Sequence, residues 1–496
     1  MSAKVQKKTR LLEGLLVLAV GLAVLLAARS RAVVRLCESD EIVYALVGRS
    51  IADGHGPLST AMHPRAVTAR GVDLRDQHLP GHAYTIAASF ALFGPTEAAA
   101  LLPSQVAFVA SGFLLYIIGR RHFGSLAGCV SAVSLYIFPA ASSLANSAMS
   151  EATLLLAGIA HLGVWCAALA GPREWHAAAL ALLLGLGATH RETFLAYLPA
   201  TLWVLWRGEL AARRKRLAVF VVTFVAYGGL VLWPALRARA PYPNYVSDAL
   251  DRAHDASALI AWLGAQVAGN FNALRVAPQT PAGHVWLMTL AVVAAAAALS
   301  WRATPRDGRA LAAHAALSFA ITLVVLFPVY PFGLWAAARI FVPLIGPALL
   351  VLGAAAAQPG HGRWRLAAGA GAAALTLAVT VEVDHALMTR RDNLDRFAQE
   401  FSAYLSSRIP TPGAGLVIVD NGFRYAWDAY PARVVAWEAL DPRLVGPVVE
   451  RYPIAAALVR EEDKRWFKEA VLRAGGHRFV AASDPTYHGM TVLVPE

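Results

Sequence analysis

The feature that most limits this chain is a series of apolar stretches, most of them near the ~20 residues a helix needs to cross the hydrocarbon core of a bilayer. They fall near 11–28, 97–119, 125–140, 150–170, 174–189, 193–206, 217–235, 284–300, 310–328, 335–357 and 365–382, which makes eleven candidate spans in 496 residues. In lipid each peptide group must find its hydrogen bond within its own segment, so such runs commit the chain to helices. Composition agrees, with 57% hydrophobic and only 15% charged residues. A disordered chain, a collagen-like fibre and an ordinary soluble enzyme are thereby excluded. The expected fold class is mainly α, a polytopic membrane protein. The run 81–94, closed by Gly94-Pro95, is too short to cross and reads as an interfacial or half-inserted helix.

Residues 1–28 pair a basic start with an apolar run, as a signal peptide does. The many later spans favour an uncleaved first helix. The three cysteines, Cys37, Cys129 and Cys166, match no metal or disulfide framework and read as small apolar residues.

Charge orients the bundle. The formal net charge is +12, which in a soluble chain would suggest nucleic acid. Here the basic residues concentrate in alternate turns. With the N-terminus cytoplasmic, the turns 1–10, 119–124, 171–176, 207–216, 301–309 and 361–365 hold 17 Lys and Arg. The short outward turns hold only Arg191. That asymmetry obeys the positive-inside rule and removes nucleic acid as a partner. The expected location is the plasma (inner) membrane, crossed many times, with membrane lipids as surroundings.

On this topology residues 1–382 form a transmembrane domain with two large extracytoplasmic loops, 29–96 and 236–283. Residues 383–496 follow as a soluble extracytoplasmic domain. Strand-length runs at Leu416–Val419, Val434–Trp437, Ile454–Val459, Phe479–Ala481 and Thr491–Val494, mixed with helical stretches such as Glu461–Arg473, give that tail a small α/β character.

Ionisable residues at a membrane face are costly and need a reason. Asp40 and Glu41 follow the first span, and Glu151 opens the fourth. Each has a bland reading as part of a helix N-terminus, capped by Ser39 or Asp40, or by Ser147 or Ser150. Yet the topology brings all three to one face, with His190, Arg191 and Glu192 in the turn 190–193 and Arg339 at the tenth span. An acid/base or phosphate site and a set of unrelated caps account for them about equally. Asp73, Asp76 and His78 are candidate ligands for a divalent metal, although their spacing suits a solvated loop better; metal dependence stays open. Glu13 is expected to snorkel or pair with Arg10, and His161 to hydrogen-bond between helices.

One reaction suits this kit. Moving a sugar off a lipid phosphate requires a base for the acceptor hydroxyl, while the phosphate leaves without protonation and is met by Arg or His. One carboxylate of Asp40, Glu41 and Glu151, with His190, Arg191 and Arg339 as the candidate phosphate ligands, is a sufficient kit.

Several strings resemble one family. A first span followed by Asp40-Glu41 in a large outward loop is similar to the polytopic GT-C glycosyltransferases, in the branch of protein O-mannosyltransferases and the aminoarabinose transferase of lipid A. His78-Leu79-Pro80-Gly81-His82-Ala83-Tyr84 through Leu92-Phe93-Gly94 resembles that branch's H-P-P-L-x-Y…L-F-G segment, with Leu79 and Gly81 as departures. Gly119-Arg120-Arg121-His122-Phe123-Gly124 resembles R-R-L-F-G, and Gly185 through Thr193 resembles G-L-x-x-L-x-R-E-T. Ala338-Arg339-Ile340-Phe341-Val342-Pro343 resembles R-Y-x-x-P, with Ile340 in place of the aromatic. The resemblance covers about residues 10–360. It implies glycosyl transfer, with inversion, from a polyprenyl-phosphate donor to an extracytoplasmic glycan, lipid or protein. It also implies Asp40 as base, Glu41 in support, and Glu151 at a second acidic position.

Two other classes compete. A lipid-linked-sugar flippase or small-solute transporter would place charge near mid-membrane and often shows repeated halves, neither of which is visible. A non-catalytic subunit would not need Asp40-Glu41 intact.

Overall fold

The computed structural model describes, in the main, residues 3–31, 39–62, 78–138, 144–238, 252–276, 306–326, 344–357, 395–409, 416–419, 423–435, 454–460, 478–481 and 490–496, with short stretches and single residues between. Candidate span 365–382, most of 284–300 and the start of 335–357 lie outside the described residues. The chain divides into two compact units. One comprises Met1–Ala32, Leu101–Ala235 and Pro243–Thr389; the other comprises Val33–Ala100, Leu236–Tyr242 and Arg390–Glu496.

The first unit is helical. Among the described residues, Glu97–Phe123, Glu151–Ala170 and Leu210–Arg237 are long and apolar enough to cross a membrane, and Leu11–Ala27, Ser125–Tyr136, Glu192–Leu205, Gly308–Val324 and Gly346–Ala356 are shorter apolar helices. These fall on the apolar stretches read from the sequence, which is why the mainly α expectation holds. The number of crossings is not fixed by them. Small residues let the helices approach closely. The Tyr136 ring of α5 (Ser125–Tyr136) is wedged between Gly21 of α1 (Ala3–Arg31) and Gly112 of α4 (Glu97–Phe123), where a Cβ on either glycine would overlap the ring. Its hydroxyl donates to the Val109 carbonyl at 2.8 Å.

Polar groups join the same helices. His161 Nε2 lies 2.8 Å from Thr201 Oγ1, the interhelical bond expected of it. Trp165 Nε1 donates to the Ala200 carbonyl at 2.9 Å. Arg216 donates to the carbonyls of Leu205, Pro172 and Arg207, so a buried cation closes the C-terminal end of the helix Leu198–Leu205. Glu13 pairs with Arg120 at 3.2 Å and accepts from Tyr116 at 3.1 Å and Ser125 at 2.8 Å. Packing against α4 brings a guanidinium and one hydroxyl to the carboxylate, and α5 brings the other hydroxyl; the side chain of the expected partner Arg10 lies outside the described residues.

The second unit holds α2 (Ser39–Ala52), α3 (Gly81–Phe93) and a six-stranded sheet. Gly94, at φ 79°, stops α3 after 13 residues by turning its N–H back to the Phe90 carbonyl, and Pro95 prevents continuation. The strands are β1 (Ala61–Met62), β4 (Leu416–Ile418), β5 (Arg433–Val435), β6 (Ile454–Arg460), β7 (Phe479–Ala481) and β8 (Met490–Pro495), in the order β1-β5-β4-β6-β8-β7. β2 (Val67–Thr68) and β3 (Gly71–Val72) form a separate pair. The first four strands in that order are mutually parallel, and β8 pairs antiparallel with both β6 and β7. Five of the six come from the apolar runs of the tail. The sixth, β1, comes from the first loop, with Ala61 opposite Val434 and Met62 opposite Val435.

Candidate functional site

Glu151 begins the helix Glu151–Ala170 and is fully buried. Its Oε1 accepts a hydrogen bond from Arg191 Nη1 at 2.8 Å. The capping account of this acid fails for its hydroxyls. Ser150 occupies the cap position without a side-chain cap bond, and among the described residues the buried Oγ atoms of Ser147 and Ser150 have no hydrogen-bond partner. A guanidinium helps to hold the carboxylate, reinforced by the positive end of the helix. The segment just ahead of Glu151 is also tied down by buried polar groups: Gln105 Nε2 reaches Asn146 Oδ1 at 3.4 Å, and Ser104 Oγ donates to the Met149 carbonyl at 3.3 Å.

Arg191 is aimed by a local break. Its backbone is extended (φ −161°, ψ 133°) between the helix Glu174–His190 and the 3-10 turn Glu192–Tyr197. Its N–H still bonds the Gly187 carbonyl. Phe194 folds back so close to Gly187 that any Cβ there would overlap its ring. His190 is buried with Nδ1 3.0 Å from the Leu186 carbonyl, so Nδ1 carries the proton. Glu192 is exposed. The first unit thus brings Glu151 and Arg191 together, with His190 next in the chain. Arg339 lies outside the described residues.

In the second unit Asp40 and Glu41 occupy the first turn of α2, with Asp40 half-buried and Glu41 fully buried. Tyr44 stands one turn beyond Asp40 on the same helical face. Its ring meets His78 at 5.0 Å and, edge-on, His82 at 5.3 Å. Gly48 packs so closely on α3 that a Cβ would lie 2.7 Å from Ile86 Cγ2 and 3.2 Å from the Ala83 carbonyl. Asp73 and Asp76 lie outside the described residues. Among the described residues no group of three or more His, Cys, Asp or Glu could hold a metal.

The residues that anchor this second unit were not singled out from the sequence. Arg424, in the tail helix Phe423–Asp428, donates to Glu97 at 2.8 Å, to Asp428 at 3.1 Å and to the Leu36 carbonyl at 3.3 Å. Glu97 in turn accepts the Leu36 N–H at 2.8 Å. Arg49, at the end of α2, stacks on Tyr430 at 4.1 Å and on Trp427 at 5.5 Å. The available signal was a lone Arg within the aromatic string Phe-Arg-Tyr-Ala-Trp.

Chemically, Asp40 offers a partly accessible carboxylate that can take a proton. Arg191 offers a guanidinium that keeps 21% side-chain exposure while bonded to Glu151, a group suited to an anion.

The family model described as dolichyl-phosphate-mannose-protein mannosyltransferase matches residues 77–233, the segment that contains Glu151, His190 and Arg191. Among curated proteins no sequence matches the chain. Among solved structures, the chain is similar to ArnT from Cupriavidus metallidurans, in its apo state at 15% identity and TM-score 0.56, with 97% of each chain covered. The form of that protein bound to undecaprenyl phosphate matches at 14% identity and TM-score 0.56, again with 97% of each chain covered. The Archaeoglobus fulgidus oligosaccharyltransferase AglB, in complex with an inhibitory peptide and a dolichol-phosphate, is similar at 13% identity and TM-score 0.51, covering 92% of this chain and 72% of that one. The arabinofuranosyltransferase AftD from Mycobacteria is similar at 15% identity and TM-score 0.54, covering 97% and 40%. The shared architecture is the GT-C fold.

Proposed function

We propose that this chain, which has the GT-C fold, is an integral-membrane glycosyltransferase that moves a sugar from a polyprenyl-phosphate donor to an extracytoplasmic acceptor, with inversion. The observation that carries this reading is the likeness to ArnT over 97% of both chains, one form of which holds undecaprenyl phosphate. The mannosyltransferase family match over residues 77–233 supports it independently. The flippase or transporter reading has no comparable support.

In this reading Asp40 accepts the proton of the acceptor hydroxyl as its oxygen attacks the anomeric carbon. The bond from that carbon to the phosphate oxygen breaks on the opposite face, and the lipid phosphate departs as an anion. Arg191, with His190 beside it in sequence and Arg339 from the tenth span, meets the developing charge. Glu151 holds the Arg191 fork in one orientation. Glu41, wholly buried, acts through the position of α2 rather than at the substrate. Asp76, His78 and Glu192 remain secondary candidates; a divalent metal near Asp76 and His78 would assist the same phosphate. The protein would sit in the plasma membrane with its N-terminus cytoplasmic, residues 1–382 as the catalytic membrane domain and 383–496 outside.

The test is to incubate purified, lipid-reconstituted protein with a panel of polyprenyl-phosphate sugars and acceptor-containing envelope extract. Release of free polyprenyl phosphate, dependent on Asp40, is the expected result. No release from any donor would overturn the assignment.

A further inference from the structure

We propose that Arg424 of the tail is a positioning residue for the catalytic base, acting through the peptide of Leu36. This inference rests on the reading of Asp40 as that base. Leu36 is fully buried and precedes Asp40 by four residues. Both of its backbone polar groups are held by one closed ring of hydrogen bonds. Its N–H donates to Glu97 Oε2 at 2.8 Å; Glu97 Oε1 accepts from Arg424 Nη2 at 2.8 Å; and Arg424 Nη1 returns to the Leu36 carbonyl at 3.3 Å. Arg424 Nε is itself fixed by Asp428 Oδ2 at 3.1 Å.

The same six-residue helix also holds the far end of α2. Trp427 and, just beyond it, Tyr430 take the Arg49 guanidinium against their rings, and the Tyr430 hydroxyl donates to Asp53 at 2.8 Å. Trp427 packs on Phe90 of α3 as well, with ring centroids 6.1 Å apart. The 14-residue helix that bears Asp40 is therefore gripped by the tail at the chain leading into it and at its last turn. A guanidinium suits the first grip because its planar fork engages a carboxylate and a carbonyl at once, with little rotamer freedom to lose. Displacing a reacting group by about 1 Å is enough to cost on the order of 100-fold in rate. The tail thereby belongs to the catalytic apparatus without touching substrate.

The experiment compares full-length wild type with Arg424→Gln, Arg424→Lys and Glu97→Gln in lipid nanodiscs, measuring polyprenyl-phosphate release and amide hydrogen exchange. Arg424→Gln is expected to lower kcat by about 10- to 100-fold while donor KM stays within about twofold. Exchange should quicken in residues 39–52 and stay unchanged in the helices of the first unit. Glu97→Gln should do the same to a smaller degree, and Arg424→Lys should recover part of kcat. Wild-type kcat in Arg424→Gln, lowered kcat without faster exchange in 39–52, or faster exchange throughout the chain would each overturn the proposal. If wild type itself releases no lipid phosphate, the glycosyltransferase reading falls, and the exchange comparison alone still decides whether Arg424 fixes α2.

Discussion

Arg191 Nη1 lies 2.8 Å from Glu151 Oε1, and the two side chains differ sharply in burial: Glu151 has no exposed surface, whereas Arg191 keeps 21%. The pair is thus a buried acid served by a cation with one side toward solvent. Removing either partner takes an ion pair from the charge that stays behind, and the cost of that loss grows with the burial of the remaining charge.

Arg191→Ala should therefore destabilise the protein more than Glu151→Gln. The first leaves a carboxylate with no exposure and should cost about 3–5 kcal/mol. The second leaves a guanidinium that can turn toward water and should cost about half as much or less. Thermal unfolding midpoints in one detergent check the order, and the reverse order would mean that Glu151 is held chiefly by other groups. Both variants should also slow lipid-phosphate release.

Asp40→Asn should abolish transfer and leave the fold intact. Asp40 sits in the first turn of α2, where Asn serves the helix end nearly as well. The amide cannot accept the acceptor's proton, so release should fall by about 10²- to 10⁴-fold. Normal turnover in a well-folded Asp40→Asn protein would remove Asp40 as base.

Gly48 allows α2 to lie directly on α3. A Cβ there meets Ile86 Cγ2 at 2.7 Å and the Ala83 carbonyl at 3.2 Å, and both neighbours are fully buried. Gly48→Ala is expected to cost about 1–3 kcal/mol by overpacking and to slow transfer by moving the helix that bears Asp40. Shortening the facing side chain in Gly48→Ala/Ile86→Ala should restore part of both. Melting and turnover measured on the single and double variants test this coupling.

What was legible in the sequence was what depends on local pattern. Apolar runs of spanning length became helices, because in lipid a helix is the one open-chain way to satisfy the backbone. Gly94-Pro95 ended α3 as read, and His161 found a hydroxyl on a neighbouring helix. The GT-C resemblance, drawn from short strings, reappears in the fold and in the match over 77–233. What escaped depends on long-range partners. Glu13 meets Arg120 across more than a hundred residues, a partner its own helix gives no sign of. Ser147 and Ser150 have the composition of caps but do not cap Glu151, because Arg191 arrives from another helix to hold the acid. Two residues of the first loop, Ala61 and Met62, enter the tail's sheet, a pairing too short to leave a periodic signal. Arg339 and Asp76 lie outside the described residues, so their parts in the site rest on the sequence.

The Tyr430 hydroxyl gives the second unit a defined response to alkali. Burial, the hydrogen bond it donates to Asp53 and that carboxylate's charge all oppose its ionisation, with Arg49 acting the other way, and the phenol is pushed up to about 12 from its ordinary value near 10. Both folded and unfolded chains keep the proton below about pH 10, so the contact contributes fully there. As pH rises from about 10 to 12, the unfolded chain ionises while the folded one does not, which favours unfolding, and the contribution is lost by about pH 12. Tyr430→Phe lacks both the bond and the titration. The gap in unfolding midpoint between wild type and Tyr430→Phe should therefore be constant up to about pH 10 and shrink above it. A gap that widened with alkali would mean that the phenolate, rather than the phenol, is the form held between Arg49 and Asp53.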